Sequence, residues 1–170
     1  MPVETPAPRD ISQLSWQPGT GTLQRLHTSG LRLTQARRAV LRALHDNRGR
    51  FLDAEAVHRW TKAATWRVNL TSVYRILAEL DKARVAQATQ LGARTFYCMV
   101  PEGEAAQPHF VCRRCGHAQA LGSDVLLTQL FEGAARLGFH LDQRLTLVGR
   151  CSACNASAPG SVKRHQKRTL

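Results

Sequence analysis

Two Cys-x-x-Cys pairs, Cys112-Arg113-Arg114-Cys115 and Cys151-Ser152-Ala153-Cys154, constrain this chain more than anything else in it. Two such pairs far apart in one sequence are the usual way to assemble a tetrahedral zinc site. Four thiolates favour Zn(II), close its coordination sphere and leave no open position for catalysis. The expectation is a structural zinc staple on Cys112, Cys115, Cys151 and Cys154, worth on the order of 10 kcal/mol of apparent folding energy. The alternative is a redox role for the pairs. Gly116 suits the tight turn of a metal knuckle. Cys98 is left over from the pairs.

A staple matters because cores here must be thin. The 170 residues suit one large domain or two small ones, and small ones need a metal or a partner subunit. No apolar run approaches a bilayer span. The start, MPVETPAPRDISQ, lacks a basic n-region followed by an apolar h-region. The expected location is cytoplasmic, with no membrane partner.

Charge separates the two halves. Residues 21–90 hold 13 Lys+Arg against 5 Asp+Glu, whereas residues 91–155 hold 6 against 5. A basic first half beside a nearly neutral second half suggests a polyanion for the first, with a merely solubilising surface as the bland alternative.

In chain order, residues 1–20 read as an extended, proline-rich arm. A short helix over Thr22–Ser29 closes at Gly30. Thr34 caps a helix to about Asp46, with Ala36, Val40, Leu41 and Leu44 on one side and Arg37, Arg38 and Arg42 largely on the other. Asp53 caps a third helix to about Ala64. Thr71 is the expected cap of a fourth, whose buried stripe is Val73, Ile76, Leu77 and Leu80. Thr71, Tyr74, Arg75 and Ala78 then project outward. VAQATQ and RTFYCM read as strands around Leu91-Gly92-Ala93.

Helices followed by a two-stranded hairpin make a winged helix-turn-helix pattern, in which the last helix enters the major groove of double-stranded DNA. Arg75 then suits a guanine edge and Tyr74 a thymine methyl, with Thr71 and Ser72 beside them. Arg37, Arg38, Arg42, Arg50 and Arg67 are candidates for phosphate contacts. The competing reading packs Tyr74 and Arg75 on a neighbouring element.

Residues 100–108 read as a linker. HFVC and HAQAL flank the first knuckle as short strands. Asp124–Leu137 reads as an amphipathic helix, and Phe139–Val148 as a strand leading into the second knuckle. This unit of about 50 residues hardly buries its own apolar surface, so a symmetric dimer is expected. Such a dimer sets two winged helices side by side for a palindromic operator. The basic tail 156–170 adds non-specific DNA affinity or is plainly solvated.

Leu33-Thr34 with Arg37 and Val40-Leu41, then TSVYRILAEL, HFVCRRCG and GFHLD…LTLVGRCSAC, resemble in order and spacing the ferric uptake regulator family over about residues 20–155. Cys98 and HFVCRRCG make the chain most similar to its zinc uptake regulator branch. The resemblance implies an α+β fold: a winged helix-turn-helix domain over 21–99, a hinge over 100–108, and a small α/β dimerisation domain over 109–155 carrying the four-cysteine knuckle. It implies a homodimer that represses zinc-import genes when zinc is replete, or activates at some promoters, with Tyr74 and Arg75 facing bases.

It also implies one structural and one regulatory Zn(II) per subunit, the second where the domains meet. Cys98 and His109 match that regulatory site, and on a strand His109 has opposite parity to Cys112, so it points away from the staple. Gln87, Gln107 and Ala120 stand where relatives often carry ligands. Gln87 is a poor ligand, which leaves Glu102, Glu104 and His117 as further candidates. The plain alternatives are a small buried thiol for Cys98 and ordinary strand or solvent-facing histidines for His109 and His117. Alternatives to zinc sensing are an iron- or peroxide-responsive sibling and a constitutive DNA-binding protein with a purely structural zinc. No enzyme is expected: H-x-E, H-E-x-x-H, P-loop and G-x-S-x-G patterns are absent.

Overall fold

A computed structural model describes residues 16–64, 66–103, 107–121, 125–141 and 144–156. The arm up to residue 15, Glu104, Asp124 and the tail from 157 therefore lie outside the described residues.

Four helices and a wing form the first layer. The helices are α1 (Thr20–Thr28), α2 (Gln35–Asp46), α3 (Ala54–Ala63) and α4 (Leu70–Lys82). The Thr34 hydroxyl accepts from the Arg37 N–H, and the Asp53 carboxylate from the Ala56 N–H, so both expected caps form. The third expectation is corrected. Asn69 caps α4, its side chain accepting from the Ser72 N–H, and Thr71 lies inside the first turn. Three residues of the Asn-Leu-Thr-Ser run have side chains able to cap, and the first of them, Asn69, lies at the extended position that a cap needs.

Val73, Ile76, Leu77 and Leu80 are all buried, together with Val40, Leu41 and Leu44 of α2 and Val57 and Trp60 of α3. This three-helix cluster is the main core. The wing is β2 (Ala86–Leu91) and β3 (Arg94–Met99), antiparallel around Gly92 at φ +63°. A third strand, β1 (Leu52–Asp53), pairs with the other edge of β3 in the order β1-β3-β2. With only two residues, it has no periodicity to read from the sequence.

The second sheet is β4 (His109–Cys112), β5 (Ala118–Ala120) and β6 (Thr146–Gly149), ordered β5-β4-β6 with β4 and β6 parallel. The helix α5 (Val125–Arg136) precedes β6, and a short helix, α6 (Ser152–Ala156), follows it. The expected strand over Phe139–Val148 is thus corrected to its last part. Phe139 is 66 % exposed and outside any strand. Alternation along 139–147 mimics a buried strand face, yet Phe139 stays exposed among the described residues.

The two layers meet through backbone. Phe51 donates to the Gly116 carbonyl at 2.9 Å and Ala118 donates to the Gly49 carbonyl at 3.0 Å. Gly116 has φ +69°, and a Cβ there would stand 2.5 Å from the Phe51 carbonyl oxygen. Both the turn and the close approach therefore require glycine at this point. Around this seam Phe51, Cys98, Val111 and Ala118 form a second, smaller apolar cluster.

Candidate metal centre

The parallel pairing of β4 with β6 sets Cys112 opposite Gly149, so the first knuckle leaves one strand beside the second. Arg113 donates to the Gly149 carbonyl at 3.0 Å and Gly116 to the Cys112 carbonyl at 2.9 Å, which curls the 112–116 turn. Cys151 and Cys154 stand one turn apart at the start of α6. The Arg114 guanidinium donates to the Cys154 carbonyl at 3.2 Å.

The four Sγ atoms lie within 4.8 Å of one another. Cys115 and Cys151 Sγ are 3.7 Å apart. A zinc–sulfur bond of about 2.3 Å in a tetrahedron puts sulfurs about 3.8 Å apart, whereas a disulfide needs about 2.05 Å. The residues fit a tetrahedral thiolate-bound cation and not a disulfide pair.

Thiol chemistry points the same way. For Cys112 burial raises the pKa, but hydrogen bonds from the Cys151, Arg114 and Cys115 N–H groups outweigh it and bring it to about 6. Cys115 is raised, by desolvation first and then by its thiol neighbours. One thiolate forms readily, and further ones resist unless a cation compensates them.

The regulatory candidates fall on both sides of the seam. Cys98, 5 % exposed, sits at the end of β3. Burial pushes its thiol up to about 11 against opposing hydrogen bonds from Gly49, Arg50 and Met99. The His109 ring stands edge-on to Phe51, centroids 5.7 Å apart, with Nδ1 2.5 Å from the Gln107 carbonyl. Burial lowers its pKa, which that carbonyl partly opposes. His109 and Val111 face the seam while Cys112 joins the thiol cluster, as their parity predicts.

Cys98, Glu102 and His109 line one cavity of about 560 Å³, joined by His45 and Trp16, which the sequence reading had not assigned. Their rings are 5.0 Å apart. A Cβ at Gly19, the N-cap of α1, would collide with the Glu102 carboxylate. His117 is exposed, bridges to Arg50 and is not among the residues lining this cavity. Gln87, only 2 % exposed, donates through Nε2 to the Gln107 carbonyl at 3.1 Å and to the Arg144 carbonyl at 3.5 Å. Among the described residues, the four-cysteine group is the one cluster with three or more ligand atoms already together.

On α4, Thr71, Tyr74, Arg75 and Ala78 are exposed, as their angular positions require. Tyr74 is 51 % exposed, and Arg75 reaches back to Glu79 at 3.8 Å. Arg67 is exposed and Arg38 half-buried. Arg37 is corrected: it is 8 % exposed, and its guanidinium holds Glu79 at 2.5 Å and the Arg32 carbonyl. Its expected outward direction fails because it stands at the edge of the α2 stripe, where α4 presents Glu79. Arg37 thus shares the Glu79 carboxylate with Arg75 instead of facing outward. Arg42 pairs with Asp46 at 2.9 Å and lies over the Trp16 ring.

A family model described as "Ferric uptake regulator family" matches residues 28–147. The ferric uptake regulation protein of Bacillus subtilis is 32 % identical over 136 residues, covering 78 % of this chain and 91 % of its own. Among solved structures, the Vibrio cholerae ferric uptake regulator is 25 % identical with a TM-score of 0.59, covering 75 % of this chain and 98 % of its own. The holo form of XcZur is 28 % identical with a TM-score of 0.52, covering 79 % and 94 %.

Proposed function

This chain belongs to the ferric uptake regulator family of DNA-binding metalloregulators, and we propose that its signal is zinc. In this reading it is a cytoplasmic homodimer that represses zinc-uptake genes when zinc is replete, with operator position deciding any activation. Cys112, Cys115, Cys151 and Cys154 hold a permanent zinc. A second zinc binds at the seam through Cys98 and His109, with Glu102 the nearest carboxylate candidate.

The observation that carries this is Cys98 lining the same cavity as His109 from the opposite side of the seam. A thiolate with an imidazole is a softer pair than iron(II) sites prefer, and suits zinc. Zinc bridging the seam stabilises one arrangement of the two layers, so operator affinity rises with free zinc. Tyr74, Arg75, Thr71 and Ser72 read the major groove, and Arg38 and Arg67 contact phosphate. The half-exposed apolar residues Leu127, Leu130 and Phe131 of α5, with exposed Leu137 and Phe139, supply the dimer face.

Anisotropy titrations of a palindromic operator in buffered zinc, with the four-cysteine site loaded throughout, test the proposal. Affinity should climb with zinc in the parent and stay flat in Cys98→Ser. Equal affinity at low and high zinc in the parent would sink it. That result would favour a constitutive DNA-binding protein, a reading supported by the apolar packing of Cys98.

A further inference from the structure

The end of α4 is tied to the second sheet region by polar bonds that involve no metal. Asp81, in the last turn of α4, accepts from the Ala88 N–H of β2 at 3.0 Å and pairs with the Arg144 guanidinium. One residue before Ala88, Gln87 turns its amide inward. Both of its partners, the carbonyls of Gln107 and Arg144, are acceptors. Only the NH2 end of the amide satisfies them, so the orientation of this side chain is fixed by chemistry. Three points far apart in sequence, 81–88, 107 and 144, are thereby joined across 2 % exposed Gln87.

We propose that Asp81, Gln87 and Arg144 form a metal-independent clamp that sets the orientation of α4 relative to the second sheet. Gln87 thus acts as a positioning residue and not as a metal ligand. The clamp grips the C-terminal turn of α4 and the base of the wing, while Thr71, Tyr74 and Arg75 remain exposed. It therefore holds the helix without covering the face proposed to read DNA. Its consequence, resting on that reading of α4, is substantial operator affinity before any zinc binds at the seam. Zinc then adds to an arrangement already favoured, and the zinc response is compressed.

Gln87→Met keeps the volume and removes the donor. Asp81→Asn with Arg144→Met removes the ion pair and keeps an acceptor for Ala88. Each is measured with zinc buffered so that only the four-cysteine site is loaded. Operator dissociation constants should rise about tenfold, the effect of losing buried hydrogen bonds of this kind. At saturating zinc the deficit should shrink, so the ratio of low-zinc to high-zinc affinity widens. A general loss of folding would not widen it.

Bio-orthogonal fluorophores at exposed Lys62 on α3 and Gln129 on α5 give a readout without DNA. The distance distribution should be narrow in the parent and broad in both variants. An unchanged width, or unchanged or tighter low-zinc operator binding, overturns the clamp. Failure of the zinc proposal shows separately, as a parent that ignores zinc while its distance distribution still depends on Gln87.

Discussion

Replacing Phe51 by Ala tests whether the seam between the layers folds as a unit of its own. Phe51 is 2 % exposed and packs with Cys98, Val111 and Ala118, with the His109 ring edge-on to it. Truncating a buried phenylalanine costs about 3–5 kcal/mol. The seam borders a cavity, where the site collapses more easily, so the lower end applies. The lost edge-to-face ring contact falls within that figure. For a chain of this size, about 3 kcal/mol lowers Tm by roughly 6–12 °C if the loss is shared by the whole fold. The structure says it is not shared. The α2–α3–α4 cluster excludes Phe51, and the four-cysteine site is held by its own turn and by β6. Differential scanning calorimetry of the zinc-loaded protein should therefore resolve one transition into two in Phe51→Ala. The lower one should belong to the second sheet, with zinc content unchanged at the four-cysteine site. Leu77→Ala, in the main core, should lower the transition of the helical unit instead. A single cooperative transition in Phe51→Ala, displaced by less than about 3 °C, would refute the view that this aromatic joins the layers.

Three further outcomes follow from local chemistry. Cys112→Ser should leave the helical unit folded while the second sheet loses its circular dichroism signal and becomes protease-sensitive, because the staple contributes on the order of 10 kcal/mol. Zinc binding at the seam should strengthen by about tenfold per pH unit across neutrality, since the Cys98 thiol, near 11, releases one proton on ligation; a competition titration at pH 6.5 and 7.5 reads this, and pH-independent affinity would remove Cys98 from the ligands. The depressed pKa of His109 means the folded seam holds it neutral, so its contribution is complete above the ordinary histidine value near 6.5 and declines as pH falls below it. Chemical denaturation of the parent and His109→Asn should show a smaller acid-side loss in the variant.

Periodic features carried most of the fold in the sequence. Val73, Ile76, Leu77 and Leu80 recur at helical spacing and are buried, and their phase places Tyr74 and Arg75 outside. The cysteine spacing marks a tetrahedral set because ligand chemistry allows few alternatives. Contacts made by single residues across long separations were not legible. Phe51 stands just before a two-residue strand with no pattern, Gln87 looks like an ordinary polar strand residue, and Arg37 looks like one more arginine on a basic face. Each acquires its role from a partner at least 20 positions away, and nothing local in the chain encodes that partner. The apparent strand over Phe139–Val148 erred in the opposite sense. Alternation there is real, but a chain described alone leaves Phe139 exposed.

The charge asymmetry takes on a sharper meaning from the ion pairs. Residues 21–90 contain only five carboxylates, Asp46, Asp53, Glu55, Glu79 and Asp81. Each faces an arginine: Asp46 faces Arg42, Asp53 and Glu55 share Arg94, Glu79 lies between Arg37 and Arg75, and Asp81 holds Arg144. Most of these pairs are partly exposed and contribute little stability individually. Their value is positional. They tie the tip of the wing to the start of α3, and they fix the end of α2 and the last turn of α4. The acids therefore serve as internal anchors and do not dilute the outward face of α4, where Arg75 remains 71 % exposed. A net +8 over this half thus overstates the mobile charge in places such as Arg37 and understates its organisation. Arg37→Met separates the two effects. It removes one positive charge that does not face outward, yet it releases Glu79 to pull fully on Arg75. If Arg37 were a phosphate contact, the slope of log affinity against log salt should flatten by about 0.9. If it positions Arg75 through Glu79, the slope should hold while discrimination between operator and mutated half-sites falls. Preserved discrimination with a flattened slope would return Arg37 to the phosphate-facing set.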